Sequence, residues 1–119
     1  MRKAGWHMRC DDAGVLTLSR SLPARFDFAA QAEFPLLRRG RLAHLIRQDM
    51  WRALQHLRGF SPVVELRKGS GAQEGMLIVR AGGAVAGQFP RALAQDTVQT
   101  LLGDAKKRAR WLAHARLEP

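Results

Sequence analysis

Between residues 42 and 57 the apolar side chains Leu42, Leu45, Ile46, Met50, Ala53, Leu54 and Leu57 return every three or four positions. That period sets one stripe of an α-helix against a core and excludes a strand, whose apolar positions recur at every second residue. Gly59 follows as a stop, and Pro35 stands where a helix accepts its first residue, so the pattern predicts a helix over residues 36–58. Gly40 inside the first turn costs about 1 kcal/mol relative to alanine and moves the firm start toward Arg41.

After Gly59 the period changes. SPVVELR at 61–67 and MLIVRA at 76–81 are β-branched runs joined by GSGAQEG, the signature of a hairpin. The Gly82-Gly83 pair can take the positive φ angles of a tight turn and predicts a third strand over residues 84–89. Pro90 opens a second helical pattern with Leu93, Ala94, Val98, Leu101 and Leu102 inward, and Gly103 ends it. Asp104 is a good N-cap for a last helix over residues 105–116, with Ala109, Leu112 and Ala113 toward the core. Upstream, GVLTLS at 14–19 alternates as a short strand. Residues 20–33 read as a connection whose Phe26 and Phe28 reach back onto the core, and residues 1–13 show no period and read as a loose tail.

The expected fold is therefore a single α+β domain over residues 14–119. It has an antiparallel three-stranded meander, four-stranded with the early strand, and helices packed on one face in the order (β)-α-β-β-β-α-α. Over residues 36–103 the order helix, three-strand meander, helix is similar to that of the double-stranded-RNA-binding domain. That family carries a Lys-Lys-x-Ala-Lys run at the start of its second helix. Here Pro90-Arg91-Ala92-Leu93 stands in its place and KKRAR comes later, at 106–110, so the likeness is one of topology.

Charge narrows the function. Twenty Lys and Arg against ten Asp and Glu leave a net charge of +10, and all but four of the basic residues are arginine. Such an excess attracts polyanions over about a Debye length, ~8 Å at physiological salt. Nucleic acid, DNA or RNA, is the favoured partner, with an acidic protein as the rival. One cysteine, Cys10, excludes an internal disulfide and suits a reducing cytoplasm. The opening MRKAGWHMRCDD has no apolar run of signal-peptide length, and no stretch approaches a membrane span. A soluble cytoplasmic protein, of bacterial type by composition, is the expectation.

The residues expected to meet an anion cluster in three places. On the long helix Trp51 lies off the apolar stripe, among Arg47, Gln55 and Arg58, so an indole sits within a basic patch. An exposed ring can stack on an unpaired base while neighbouring arginines neutralise the backbone, and it serves equally as a protein-interface anchor. Arg38, Arg39 and Arg41 precede or open that helix, and Lys106, Lys107, Arg108 and Arg110 open the last one, with Trp111 among them. Cations at a helix start oppose its dipole, and a phosphate bound there by amides and side chains would reconcile the two.

Catalytic and cofactor patterns are thin. His44, Asp49 and His56 do not have the i, i+4 spacing of a zinc helix, and Asp49 reads as an ion-pair partner of Arg52. Cys10 beside Asp11 and Asp12 has the wrong electrostatics for a nucleophile. GSGAQEG lacks the Lys-Ser/Thr of a phosphate loop and reads as turn chemistry. The sequence thus points to a small basic accessory protein that binds nucleic acid without catalysis, metal or cofactor. The alternative is a subunit that docks an acidic protein through the Trp51 face.

Overall fold

A computed structural model of the chain describes residues 5–117. Five strands form one sheet: β1 (His7–Cys10), β2 (Leu16–Ser19), β3 (Phe28–Pro35), β4 (Ser61–Lys68) and β5 (Met76–Ala84). Their order across the sheet is β1-β2-β4-β5-β3, antiparallel throughout. Three helices, α1 (Arg39–Leu54), α2 (Arg91–Gly103) and α3 (Ala105–Ala115), share one core with a single face of the sheet. The α+β class and the helices on one face are as the periodicity predicts.

The sheet differs from expectation in three places. Of the expected tail, residues 1–4 lie outside the described residues, and His7–Cys10 is a strand that pairs along β2 from His7 with Ser19 to Cys10 with Leu16. The turn between them is set by Asp11, whose carboxylate accepts the amides of Ala13 (2.9 Å) and Val15 (3.0 Å), and by Gly14 at φ +83°. The later part of the supposed connection at 20–33, from Phe28 on, is the edge strand β3, with Phe28, Ala30, Ala32 and Phe34 on the core face. Its alternation was masked by alanine, glutamine and glutamate, which strands use sparingly.

The third difference is at Gly82-Gly83, which is not a turn. β5 runs straight through the pair and ends at Ala84, and no strand occupies residues 85–89. A Cβ on Gly82 would come within 2.1 Å of the Phe28 carbonyl oxygen, and one on Gly83 within 2.2 Å of that of Ser61. The glycines are needed for close approach of β3 and β4 on either side. With the third sheet neighbour coming from before α1, the order that resembled a double-stranded-RNA-binding domain is not that of this fold.

Helix boundaries shift for local reasons. Pro35 ends β3 instead of opening α1, and Gly40 lies inside the first turn, where Met8 of β1 comes against it. α2 and α3 break at Gly103-Asp104 as expected, with the Asp104 carboxylate accepting the Lys107 amide at 2.9 Å. Leu93, expected inward, is 63% exposed, and Ala109 and Ala113 also face outward. The buried side of α3 is instead Trp111 and Ala115. α2 and α3 also fasten to β3, where Gln99 and Arg108 donate to the backbone carbonyls of Gln31 (3.0 Å) and Glu33 (2.8 Å).

One buried carboxylate joins α1 to α3. Asp49 is 6% exposed; it accepts the indole N–H of Trp111 at 2.8 Å and pairs with Arg110, while Arg52 approaches at 3.5 Å. The sequence expectation had only the Arg52 contact, the weakest of the three. Asp49→Ala should lower stability by about 2–4 kcal/mol, because it leaves the buried indole N–H unsatisfied and a guanidinium unpaired. Asp49→Asn, which keeps an acceptor for the indole, should cost less. A lower urea midpoint at unchanged slope checks both, and equal midpoints for Asp49→Ala and the parent chain would refute the role.

Candidate functional site

Trp51 follows Asp49 by two positions, about 200° around the helix, so it faces the flank of α1 away from α3. On that flank it is 42% exposed and lies parallel to Phe60, with ring centroids 6.1 Å apart and planes 6° from parallel. Phe60 is buried and touches Phe28 at 5.9 Å, which in turn touches Phe89 at 5.6 Å. This chain of rings runs from the core to the surface and fixes the attitude of the exposed indole.

Trp6, just before β1, reaches the same place. The guanidinium of Arg47 lies 4.5 Å from the centre of the Trp6 ring and that of Arg20 lies 5.4 Å from it. Both distances are those of cation–π contacts. Arg47 also sets Nη2 3.1 Å from His44 Nδ1, while its Nε is buried with no hydrogen-bond partner among the described residues. Burial first, and then the Arg20 charge, hold the Arg47 guanidinium below its ordinary pKa. It stays protonated across the physiological range, so the outcome is a desolvated cation, not a neutral group.

Trp6, Arg20, Arg47, Trp51, Phe60 and Pro62 line a recess of about 500 Å³. None of those six is acidic. Two guanidiniums drawn to one ring repel each other, and no carboxylate in the lining offsets them. The recess therefore combines an exposed aromatic surface with a local positive potential, the chemistry needed to hold an anion joined to a flat ring.

A larger groove, about 690 Å³, lies on the other flank of α1 against α2 and α3. Lys106, Lys107, Arg110 and Arg52 line it, and so do Asp49 and Asp104. Here four cations face two carboxylates, which leaves a formal excess of two positive charges, the same as in the recess, but with part of the charge paired. Asp49 holds Arg110, and the Lys107 amide keeps the Asp104 carboxyl below the usual carboxylate range. The groove is bigger, and what sets it apart from the recess is that its cations share the lining with carboxylates and its walls carry no aromatic ring.

The remaining expected contacts divide by what they touch. Trp111 is fully buried, so it is a core residue and not a surface ring. Arg38 donates to the carbonyls of His114 (2.7 Å) and Arg116 (3.2 Å), which puts a cation at the C-terminus of α3, where the helix dipole favours it. Arg39 donates to the Gly14 carbonyl at 2.5 Å. Arg108 donates to Leu102 (3.0 Å) and Glu33 and covers the Phe34 ring at 4.0 Å. The apparent basic helix starts are thus in good part internal fastenings. Arg41 and Arg58 are exposed, outside both hollows.

Of the expected residues, only Arg47 and Trp51 come together in the recess. Trp6, Arg20 and Phe60 were not expected there. The alternation of Trp6 and Met8 with His7 and Arg9 was the available signal for the first, since it turns the indole toward the helix side of an edge strand. No helix among the described residues is long and apolar enough to cross a membrane. No family model, curated protein or solved structure matches the chain.

The three indoles should be spectroscopically distinct. A Trp6→Phe/Trp51→Phe chain, with Trp111 alone, should emit in the blue and resist acrylamide. Restoring Trp51 should add a red-shifted, readily quenched component. Equal quenching of both chains would contradict the exposed position of Trp51.

Proposed function

We propose that this protein binds nucleic acid through the Trp51 flank of α1, as a small non-catalytic accessory protein of the cytoplasm. One observation carries the reading: two guanidiniums, Arg20 and Arg47, converge on the Trp6 ring beside the exposed Trp51, with no carboxylate among the residues lining the recess. Nucleic acid is the polymer that supplies a flat ring and an anion in every repeating unit. The net charge of +10 adds long-range attraction for the same ligand. Lys106 and Lys107, across α1, extend the basic surface and are suited to further phosphates.

An acidic protein remains the second reading, supported by the apolar neighbours Phe60 and Pro62 around a half-exposed tryptophan. It does not account for the partly buried Arg47 and the exposed Arg20 gathered at that place.

Fluorescence anisotropy of labelled oligonucleotides at increasing salt tests the proposal. The logarithm of the binding constant should fall linearly with the logarithm of salt, by about 0.7 per phosphate neutralised on a single strand or about 0.9 on a duplex. Lys106→Gln/Lys107→Gln should reduce that slope by up to two phosphates' worth, and Arg47→Gln should weaken binding at every salt concentration. Binding indifferent to salt, or unaffected by Arg47→Gln, would refute the proposal.

A further inference from the structure

We infer that the recess takes one unpaired nucleotide of a single strand, its base laid on Trp51 and its phosphate between Arg20 and Arg47. This rests on the nucleic-acid reading above and names which form of nucleic acid fits.

Access decides the form. Phe60 lies parallel to Trp51 on its inner side, and Phe60 is itself buried, so a ligand can meet the indole only from the side open to solvent. Trp6 is engaged by two guanidiniums, which leaves Trp51 as the ring able to accept a base. The recess, about 500 Å³, is of the size that holds one small organic group. In a duplex each base is covered above and below by its neighbours and shows the protein only its edges, so it cannot lie face to face with a ring. An unpaired base can.

Charge points the same way. A phosphodiester set near both guanidiniums brings negative charge to a lining that has none of its own. Such a contact offsets the mutual repulsion of Arg20 and Arg47. Pro62 and Phe60 close the inner side with apolar surface, which favours the base over water there.

The test compares one labelled oligonucleotide, alone and annealed to its complement, against the full chain and its Trp51→Leu, Trp51→Phe and Arg20→Gln/Arg47→Gln variants. Trp51→Leu keeps apolar contact with Phe60, so the fold is retained, and circular dichroism checks it. The single strand should bind more tightly than the duplex at equal salt. Trp51→Leu should weaken the single strand roughly 5- to 150-fold, the worth of one base on one ring, and leave the duplex nearly unchanged. Trp51→Phe should recover part of that loss, and the double arginine variant should weaken the single strand while flattening its salt dependence.

Equal affinity for strand and duplex, or a single strand indifferent to Trp51→Leu, would overturn the inference while leaving nucleic-acid binding standing. No binding of either form at low salt would overturn the parent reading and this one with it. A nucleoside monophosphate competitor separates the two sources of a nucleotide. Displacement only at concentrations far above those of the strand supports the polymer, and equal potency would assign the recess to a free nucleotide instead.

Discussion

Asp49 lies almost dry between α1 and α3, and an ionised carboxylate in such a place must be fully met by donors, since its desolvation costs several kcal/mol. The Trp111 indole and the Arg110 guanidinium meet it from α3. That requirement fixes the rotation of α1 about its axis. Met50, one residue on, then points into the core, and Trp51, one further, must point to the flank that α3 does not cover. The surface position of Trp51 thus follows from a carboxylate it never touches. What waits on that flank is set by the sheet, whose edge strand β1 and its neighbour β2 bring Trp6 and Arg20 alongside Arg47.

The distribution of positive charge follows a similar logic. Several arginines that looked free for an anion act within the fold: Arg38 at the carbonyl end of α3, Arg39 on the β1–β2 turn, Arg108 on the edge strand and Arg110 on Asp49. Arginine suits such work because its planar fork serves two acceptors at once and stacks on rings. Net charge alone therefore overstates the surface on offer. The Arg20 and Arg47 pair differs in kind, because both guanidiniums lie over one ring, with no oxygen acceptor for either among the described residues.

What could be read from the sequence tracks how local each signal was. The stripe from Leu42 to Leu54, the β4–β5 hairpin and the Gly103-Asp104 break are set by neighbours within a few residues, and they fold as their periods say, although α1 stops at Leu54, short of the expected residue 58. β3 pairs with β5 some fifty residues later, and its Ala30 and Ala32 carry little hydrophobic signal of their own. Gly82 and Gly83 looked like a turn because their partners across the sheet, Phe28 and Ser61, come from distant parts of the chain. The site was half legible for the same reason. Arg47 and Trp51 share a helix and could be paired by spacing. Trp6, Arg20 and Phe60 join them only through sheet order and the return of the chain after α1. Trp111, set among basic letters, looked like a surface ring until Asp49 supplied its buried acceptor.

The central claim is that the Trp51 recess, and not the basic helix starts, receives the ligand. It is tested most directly by following the three indole N–H resonances in a nitrogen–proton correlation spectrum while a single-stranded oligonucleotide is added. The account predicts that the Trp51 and Trp6 signals shift progressively and saturate together, while that of Trp111, bonded to Asp49 in the core, stays in place. Stationary Trp51 and Trp6 signals, with changes confined to the amides around Lys106 and Lys107, would contradict it and move the binding surface to the groove beside α3.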